Sequence, residues 1–380
     1  MSLPFPTSPV LPTLPVYQPG RPIEEVAREL GLPAEDIIKL ASNENPLGPS
    51  RLAISAMRKA VAQVNLYPDG NSFYLKQKLA NKLDVTPANL VLGTGSNEII
   101  ELLGHALLGV PADNGSASPA PPPEVVVSQY CFAVYPIVTA LFGARLKVVP
   151  AKNYGHDLDA MLAAITPQTR IVFVANPNNP TGTVVTPDAL AQFVKAIPDN
   201  VLLALDEAYI EFLNQPLDLL PEIRNGRPNL VLMRTFSKIY GLAGLRLGYG
   251  IGHLEFISAL EKLRQPFNVN AIAQAGALAA LDDTTHVERT RRTNSRGLKF
   301  FQRAFRKLRL ETLPSSANFI LVRVGDGQHV FNEMQKLRVI VRPMAGYQLP
   351  EWVRITIGTP AQNKRCLDAL QRVLNNPPAI

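Results

Sequence analysis

The stretch Ile171-Val172-Phe173-Val174-Ala175-Asn176-Pro177-Asn178-Asn179-Pro180-Thr181-Gly182 decides the fold. Five consecutive apolar residues, mostly β-branched or aromatic, read as a strand buried on both faces, and the polar turn that follows ends it abruptly. Similar runs recur at residues 90–92, 125–127, 146–149, 201–205, 230–233 and 247–251, giving seven buried strands. Helix-like segments such as 187–196 and 254–265 separate most of them. This alternation predicts an α/β fold, a seven-stranded and mainly parallel sheet between helices, and excludes a two-layer β-sandwich. After residue 265 the pattern changes to long helices (271–281 and 285–308) and then strands at 319–324, 339–342 and 353–357, which predicts a smaller α+β domain. The expected organisation is an N-terminal extended arm with part of the small domain (1–45), a large domain (46–270) and a small C-terminal domain (271–380).

At about 150 residues per domain, 380 residues suit two or three domains, and a 46% hydrophobic content supplies their cores. Seven prolines in the first 22 residues predict an extended arm without regular structure of its own. A second Pro/Ala/Ser/Gly segment, 111–123, reads as a surface loop. No run approaches the ~18 apolar residues of a membrane span, and no charged region precedes an apolar N-terminal stretch, so membrane insertion and secretion are disfavoured. Two cysteines 235 positions apart, Cys131 and Cys366, suit a reducing cytoplasm and read as packed thiols. The five histidines have no ligand-like spacing, so no metal site is expected. The net charge of +7 is dispersed, without a basic run interleaved with aromatics or a helix-turn-helix pattern. A phosphorylated small molecule explains it as well as nucleic acid does.

Polar motifs collect at the C-terminal ends of the strands, where open α/β sheets bind ligands. Gly93-Thr94-Gly95-Ser96-Asn97-Glu98 ends one strand and opens a helix, a turn suited to a phosphate, although taken alone it reads first as a plain glycine turn with Ser96 or Asn97 as the helix cap. The prolines around Asn176, Asn178 and Asn179 fix the asparagine amides for holding a ring hydroxyl or carboxylate, or simply make a tight crossover turn. Asp206-Glu207-Ala208-Tyr209 follows the 201–205 strand. A carboxylate there stays ionised only beside a compensating partner, for which a protonated ring nitrogen would serve, with metal coordination the competing reading. Arg234-Thr235-Phe236-Ser237-Lys238, followed by Gly241, Gly244, Arg246 and Gly248, combines an amine in apolar and hydroxyl-rich surroundings with two hydroxyls and a guanidinium fork. A solvated lysine on a glycine-rich loop is its plain alternative.

An anion cradle, an asparagine turn, a strand-end Asp with Tyr three residues later and a Lys 32 positions after that Asp together resemble the fold type I aminotransferases that use pyridoxal 5′-phosphate (PLP). Within that superfamily the chain is similar to the histidinol-phosphate aminotransferase family, from Val16-Tyr17-Gln18-Pro19-Gly20 through Leu40-Ala41-Ser42-Asn43-Glu44-Asn45-Pro46 to Arg354-Ile355-Thr356-Ile357-Gly358. The resemblance implies that Lys238 tethers the cofactor and then moves the proton between substrate Cα and cofactor C4′. It implies that Asp206 pairs with the ring nitrogen, that Asn179 and Tyr209 bond the phenolic oxygen, and that Tyr130 stacks on the ring. Gly95, Ser96, Asn97, Thr235, Ser237 and Arg246 would surround the cofactor phosphate, joined by Tyr67 from the partner subunit of a homodimer with shared active sites. Arg342 and Arg354 would face the acidic end of the substrate, with Tyr17 and Asn43 lining its channel or merely packing there. Asn97 stands where many relatives carry Asp.

The implied reaction is amino transfer between L-glutamate and imidazole-acetol phosphate, giving 2-oxoglutarate and L-histidinol phosphate in histidine biosynthesis. Rival readings are an aromatic amino-acid aminotransferase, a PLP-dependent decarboxylase of a phosphorylated amino acid and, from another class, a ligand sensor attached to a DNA-binding module.

Overall fold

The computed structural model describes residues 8, 10–14, 16, 20–109 and 121–376. Twelve strands run in chain order as β1 (Ile38–Lys39), β2 (Leu90–Gly93), β3 (Glu124–Ser128), β4 (Arg145–Val149), β5 (Thr169–Ala175), β6 (Leu202–Asp206), β7 (Leu230–Thr235), β8 (Gly248–Gly252), β9 (Phe319–Arg323), β10 (Val339–Ile340), β11 (Arg342–Pro343) and β12 (Trp352–Thr356). The seven strands expected between residues 90 and 251 all join one sheet, in the order β2-β8-β7-β6-β5-β3-β4. Only β8 runs against its neighbours β2 and β7. Its link to β7 contains a single 3-10 turn, Ala243–Leu245, rather than the crossover helix that a parallel partner needs.

Side chains alternate between the sheet faces, so each strand feeds two apolar layers. Val172, Val174, Leu203, Leu205, Leu230 and Leu232 enter one core, which includes helix Pro187–Ala196 through Leu190 and Phe193. Ile171, Phe173, Leu202, Ala204, Val231 and Met233 enter the other, covered by Ile99 and Leu103 of helix Ser96–Leu107 and by Tyr135. Caps set where the helices begin: Thr186 accepts from the Ala189 amide ahead of helix Pro187–Ala196, and Thr359 and Gln362 form a reciprocal capping box at helix Pro360–Asn375.

A separate core joins Phe301 and Phe305 of helix Thr284–Lys307 with Ile320, Val322, Val353 and Ile355 and with Val26, Ile37 and Leu40 near the N-terminus. β1 adds to this unit by pairing in parallel with β10.

The structure corrects several expectations. The arm is not uniformly extended: it holds a 3-10 turn at Leu11–Thr13, and helix Ile23–Leu30 follows it, with Val26 and Ala27 buried in the smaller core. Nor does the core change at residue 271. Helix Ala271–Ala280 packs on helix Arg51–Val61 within the large core, because its alanines and Gly276 allow the backbones to approach; a Cβ at Gly276 would lie 3.0 Å from Met57. The strand expected at 339–342 is two short strands serving different sheets, β10 beside β1 and β11 beside β12. Most of the proline-rich segment 111–123 lies outside the described residues. Among the described residues, no helix is long and apolar enough to cross a membrane.

Candidate active site

A cavity of about 710 Å³ opens at the C-terminal ends of β5, β6 and β7, lined among others by Asn179, Asp206, Tyr209, Lys238, Arg246 and Arg354. Strand alternation builds its floor. Asp206 and Thr235, ending β6 and β7, point to the cavity side, while their neighbours Glu207 and Arg234 point to the opposite face and pair there at 2.7 Å.

Asp206 is buried, and both carboxylate oxygens are engaged: the Tyr135 hydroxyl donates to Oδ2 at 2.8 Å and the Ala208 amide to Oδ1 at 3.0 Å. Burial raises its pKa, opposed by these two hydrogen bonds and by the positive charge of Lys238. Lys238 is half-buried; its Nζ donates to the Ser42 carbonyl at 3.4 Å and lies 5.7 Å from the centre of the Tyr209 ring. An amine, a buried carboxylate and a phenol therefore converge on one space.

The near end of the cavity is a hydroxyl and amide cradle. Thr235 donates to Ser237 Oγ at 3.0 Å and accepts from the Ser237 amide at 3.1 Å. Gly95 (φ +78°) precedes helix Ser96–Leu107, and a Cβ there would sit 2.5 Å from Arg246 Nη2. Across the turn, a Cβ on Gly248 would overlap the Ser96 amide nitrogen. Glycines thus let a helix N-terminus and a guanidinium come together, a combination that suits a phosphate. Asn97 is exposed on the rim.

At the far end stand two arginines. Arg354 on β12 is buried, donates to Asn179 Oδ1 at 2.5 Å and to the Ala41 carbonyl at 3.1 Å, and lies over the Phe319 ring. Arg342, on the neighbouring β11 and half-buried, lines the same cavity. Asn43, in the left-handed region (φ +56°), donates to the Tyr209 hydroxyl at 2.9 Å while its amide and side-chain oxygen bond Thr356. Burial pushes the Tyr209 phenol up to about 12, with Arg354 opposing.

One aromatic expectation needs revision. Tyr130 is absent from the lining of the cavity; its ring stacks on Tyr154, 5.8 Å away, and its carbonyl accepts from Asn178. Phe132, two residues on, occupies the wall instead, because the chain turns into helix Val134–Leu141 between them. Sequence reading also missed Tyr135, which looks like any core aromatic in an apolar run. Tyr67, expected to act from the partner subunit, is 83% exposed on its own chain, stacked on Phe267 and outside the lining of this cavity. Tyr17 lies outside the described residues. Cys131 and Cys366 are buried, which pushes both thiols up to about 12 and leaves them inert. No group of three or more His, Cys, Asp or Glu side chains is arranged as a metal site among the described residues.

Comparison with known proteins places the chain in a family. Residues 35–370 match the family "Aminotransferase class I and II". The histidinol-phosphate aminotransferase of Akkermansia muciniphila is 52% identical over 359 residues, covering 94% of this chain and 96% of its own. Histidinol-phosphate aminotransferase 2 of Ralstonia nicotianae is 50% identical, covering 94% of each. Among solved structures, the histidinol-phosphate aminotransferase of Sinorhizobium meliloti in complex with pyridoxal-5′-phosphate superposes with a TM-score of 0.84 at 29% identity, covering 97% of both chains. Fold, cavity and sequence agree: the chain belongs to the class I and II aminotransferases, PLP-dependent enzymes of fold type I.

Proposed function

We propose that the protein catalyses reversible amino transfer between L-histidinol phosphate and 2-oxoglutarate, giving imidazole-acetol phosphate and L-glutamate, as a cytoplasmic homodimer in histidine biosynthesis. The observation that carries the reading is the pair Arg342 and Arg354 at the far end of the cavity that holds Lys238 and Asp206. One pocket must accept the carboxylate of glutamate in one half-reaction and a phosphate in the other, and planar guanidinium forks bind both anions. The names of the relatives support the same substrate.

The residues present fit PLP: a glycine-opened cradle for its phosphate, a buried carboxylate for its ring nitrogen and a lysine amine in the same cavity. When bound, PLP supplies an electron sink conjugated to the substrate Cα. Asp206 holds the proton at the ring nitrogen. Ser96, Thr235, Ser237 and Arg246 would hold the phosphate, and Phe132 lines the cavity wall beside the ring's site. Tyr209 accepts from Asn43 and so keeps its own hydroxyl proton to donate toward the phenolic oxygen, beside Asn179. Lys238 holds the cofactor covalently and, as a free amine, carries the proton at Cα. Tyr67, exposed on its own subunit, completes the phosphate cradle of the partner subunit.

Steady-state kinetics over a substrate panel test this reading. A kcat/KM for histidinol phosphate well above that for phenylalanine is expected. The reverse order, or carbon dioxide release without oxo-acid formation, overturns it.

A further inference from the structure

Tyr135 is fully buried, in the first turn of helix Val134–Leu141. Its ring is held from two sides: it stacks on Phe173 of β5 at 4.5 Å with an interplanar angle of 4°, and Phe132 meets it edge-on at 5.7 Å. Within the helix, Thr139 donates to the Tyr135 carbonyl. A phenol packed this tightly has little freedom to choose a partner, and its hydroxyl ends 2.8 Å from Asp206 Oδ2. The groups facing this carboxylate are the Tyr135 hydroxyl, the Ala208 amide, the Lys238 ammonium and, more distantly, Tyr209. Among them, Tyr135 is the side chain that donates directly to Asp206, and its ring is packed on Phe173 and Phe132.

We infer that Tyr135 is a positioning residue for the cofactor: its hydroxyl fixes the Asp206 carboxylate in place and stabilises it as the anion, so that the shared proton stays on the ring nitrogen. The inference rests on the PLP-dependent reading and goes beyond it. A proton between a carboxylate and a pyridine nitrogen has two resting places. On nitrogen it gives an ion pair; on oxygen, two neutral partners. A hydrogen bond donated to the carboxylate lowers the basicity of that oxygen and tips the balance toward nitrogen, where the positive charge draws electrons from the substrate. Phe132 links the two roles, lining the cavity and bracing the Tyr135 ring with the same side chain.

The test is Tyr135→Phe, which deletes the hydroxyl and keeps the stacking, in holoenzyme reconstituted with ¹⁵N-labelled PLP. The ring-nitrogen chemical shift should move toward the unprotonated value, PLP affinity should fall, and kcat for glutamate should fall about 10- to 100-fold with KM little changed. Should this variant be unstable, 3-fluorotyrosine at position 135 makes the phenol a stronger donor at nearly constant shape, and the shift should move the opposite way. A ring-nitrogen shift unchanged in both overturns the inference while the PLP reading stands. A wild-type protein that takes up no PLP overturns both.

Discussion

Asn43 donates to the Tyr209 hydroxyl at 2.9 Å, and with the bonds from Arg354 to Asn179 and from Lys238 to Ser42 it ties the smaller unit to the large sheet at the cavity. Asn43 is tied to β12 through Thr356 and to Asn318, whose side chain donates to its carbonyl at 2.9 Å, whereas Tyr209 follows β6 of the large sheet. Disrupting it should therefore be felt on both sides. Asn43→Ala and Tyr209→Phe are each expected to destabilise the protein, with a coupling of about 1 kcal/mol in a double-mutant cycle by chemical denaturation. Additive effects would mean that the contact contributes nothing.

Lys238→Ala should lower amino transfer by at least about 1000-fold, since the base is lost along with the covalent anchor. The half-buried side chain leaves the fold intact when truncated, so the far-ultraviolet circular dichroism should be unchanged. Borohydride reduction of the wild type followed by peptide mapping should place the pyridoxyl label on Lys238. Label at any other lysine contradicts the assignment.

Two glycine positions separate space from sequence. Gly248→Ala drives a methyl against the Ser96 amide and should weaken cofactor binding roughly tenfold or more, because backbone must move. A Cβ at Gly346, outside the lining of the cavity, would meet no atom within 4 Å, so Gly346→Ala should bind PLP as the wild type does. Equal affinities for the two variants, measured by equilibrium titration, would refute the cradle.

Glu211 sits behind the sheet near Arg234, and burial pushes its carboxyl up to about 7, with Arg234 opposing. The folded protein therefore binds this proton more tightly than the unfolded chain, and the group costs stability as pH rises from the ordinary carboxyl range through 7. Glu211→Gln should gain stability relative to the wild type at pH 8 and gain less, or none, at pH 5. Thermal melts at the two values decide the matter; a difference independent of pH would show that the group does not titrate there.

Shared sites can be read from hybrids. Lys238→Ala and Tyr67→Ala homodimers should both be nearly inactive. Mixed and reassorted one to one, they should recover about a quarter of wild-type activity, because half the dimers carry one intact site of two. No recovery after verified subunit exchange would show that Tyr67 does not reach across.

Local chemistry made much of this legible in advance. The buried runs at 171–175 and 201–205 could only be central strands, and Asp206, Lys238 and the glycines stood where strand ends place ligand groups. The arginine pair on β11 and β12 was named from motif resemblance alone, since nothing in its own apolar surroundings marks it. The rest was invisible for a physical reason. Tyr130 and Phe132 differ only in where the chain bends, which is set by packing against Tyr154 and Trp352 on one side and Tyr135 on the other.

By itself, then, the sequence determined the sheet, the order of its motifs and the chemical types that meet at its edge, because strand period and turn residues act over a few neighbours. Tertiary structure alone decided that Tyr135 grips Asp206 across 71 residues, that Phe132 and not Tyr130 lines the cavity, and that helix Ala271–Ala280 packs with the large core. Contacts of that kind are fixed by the mutual fit of distant surfaces, and no local pattern encodes a fit.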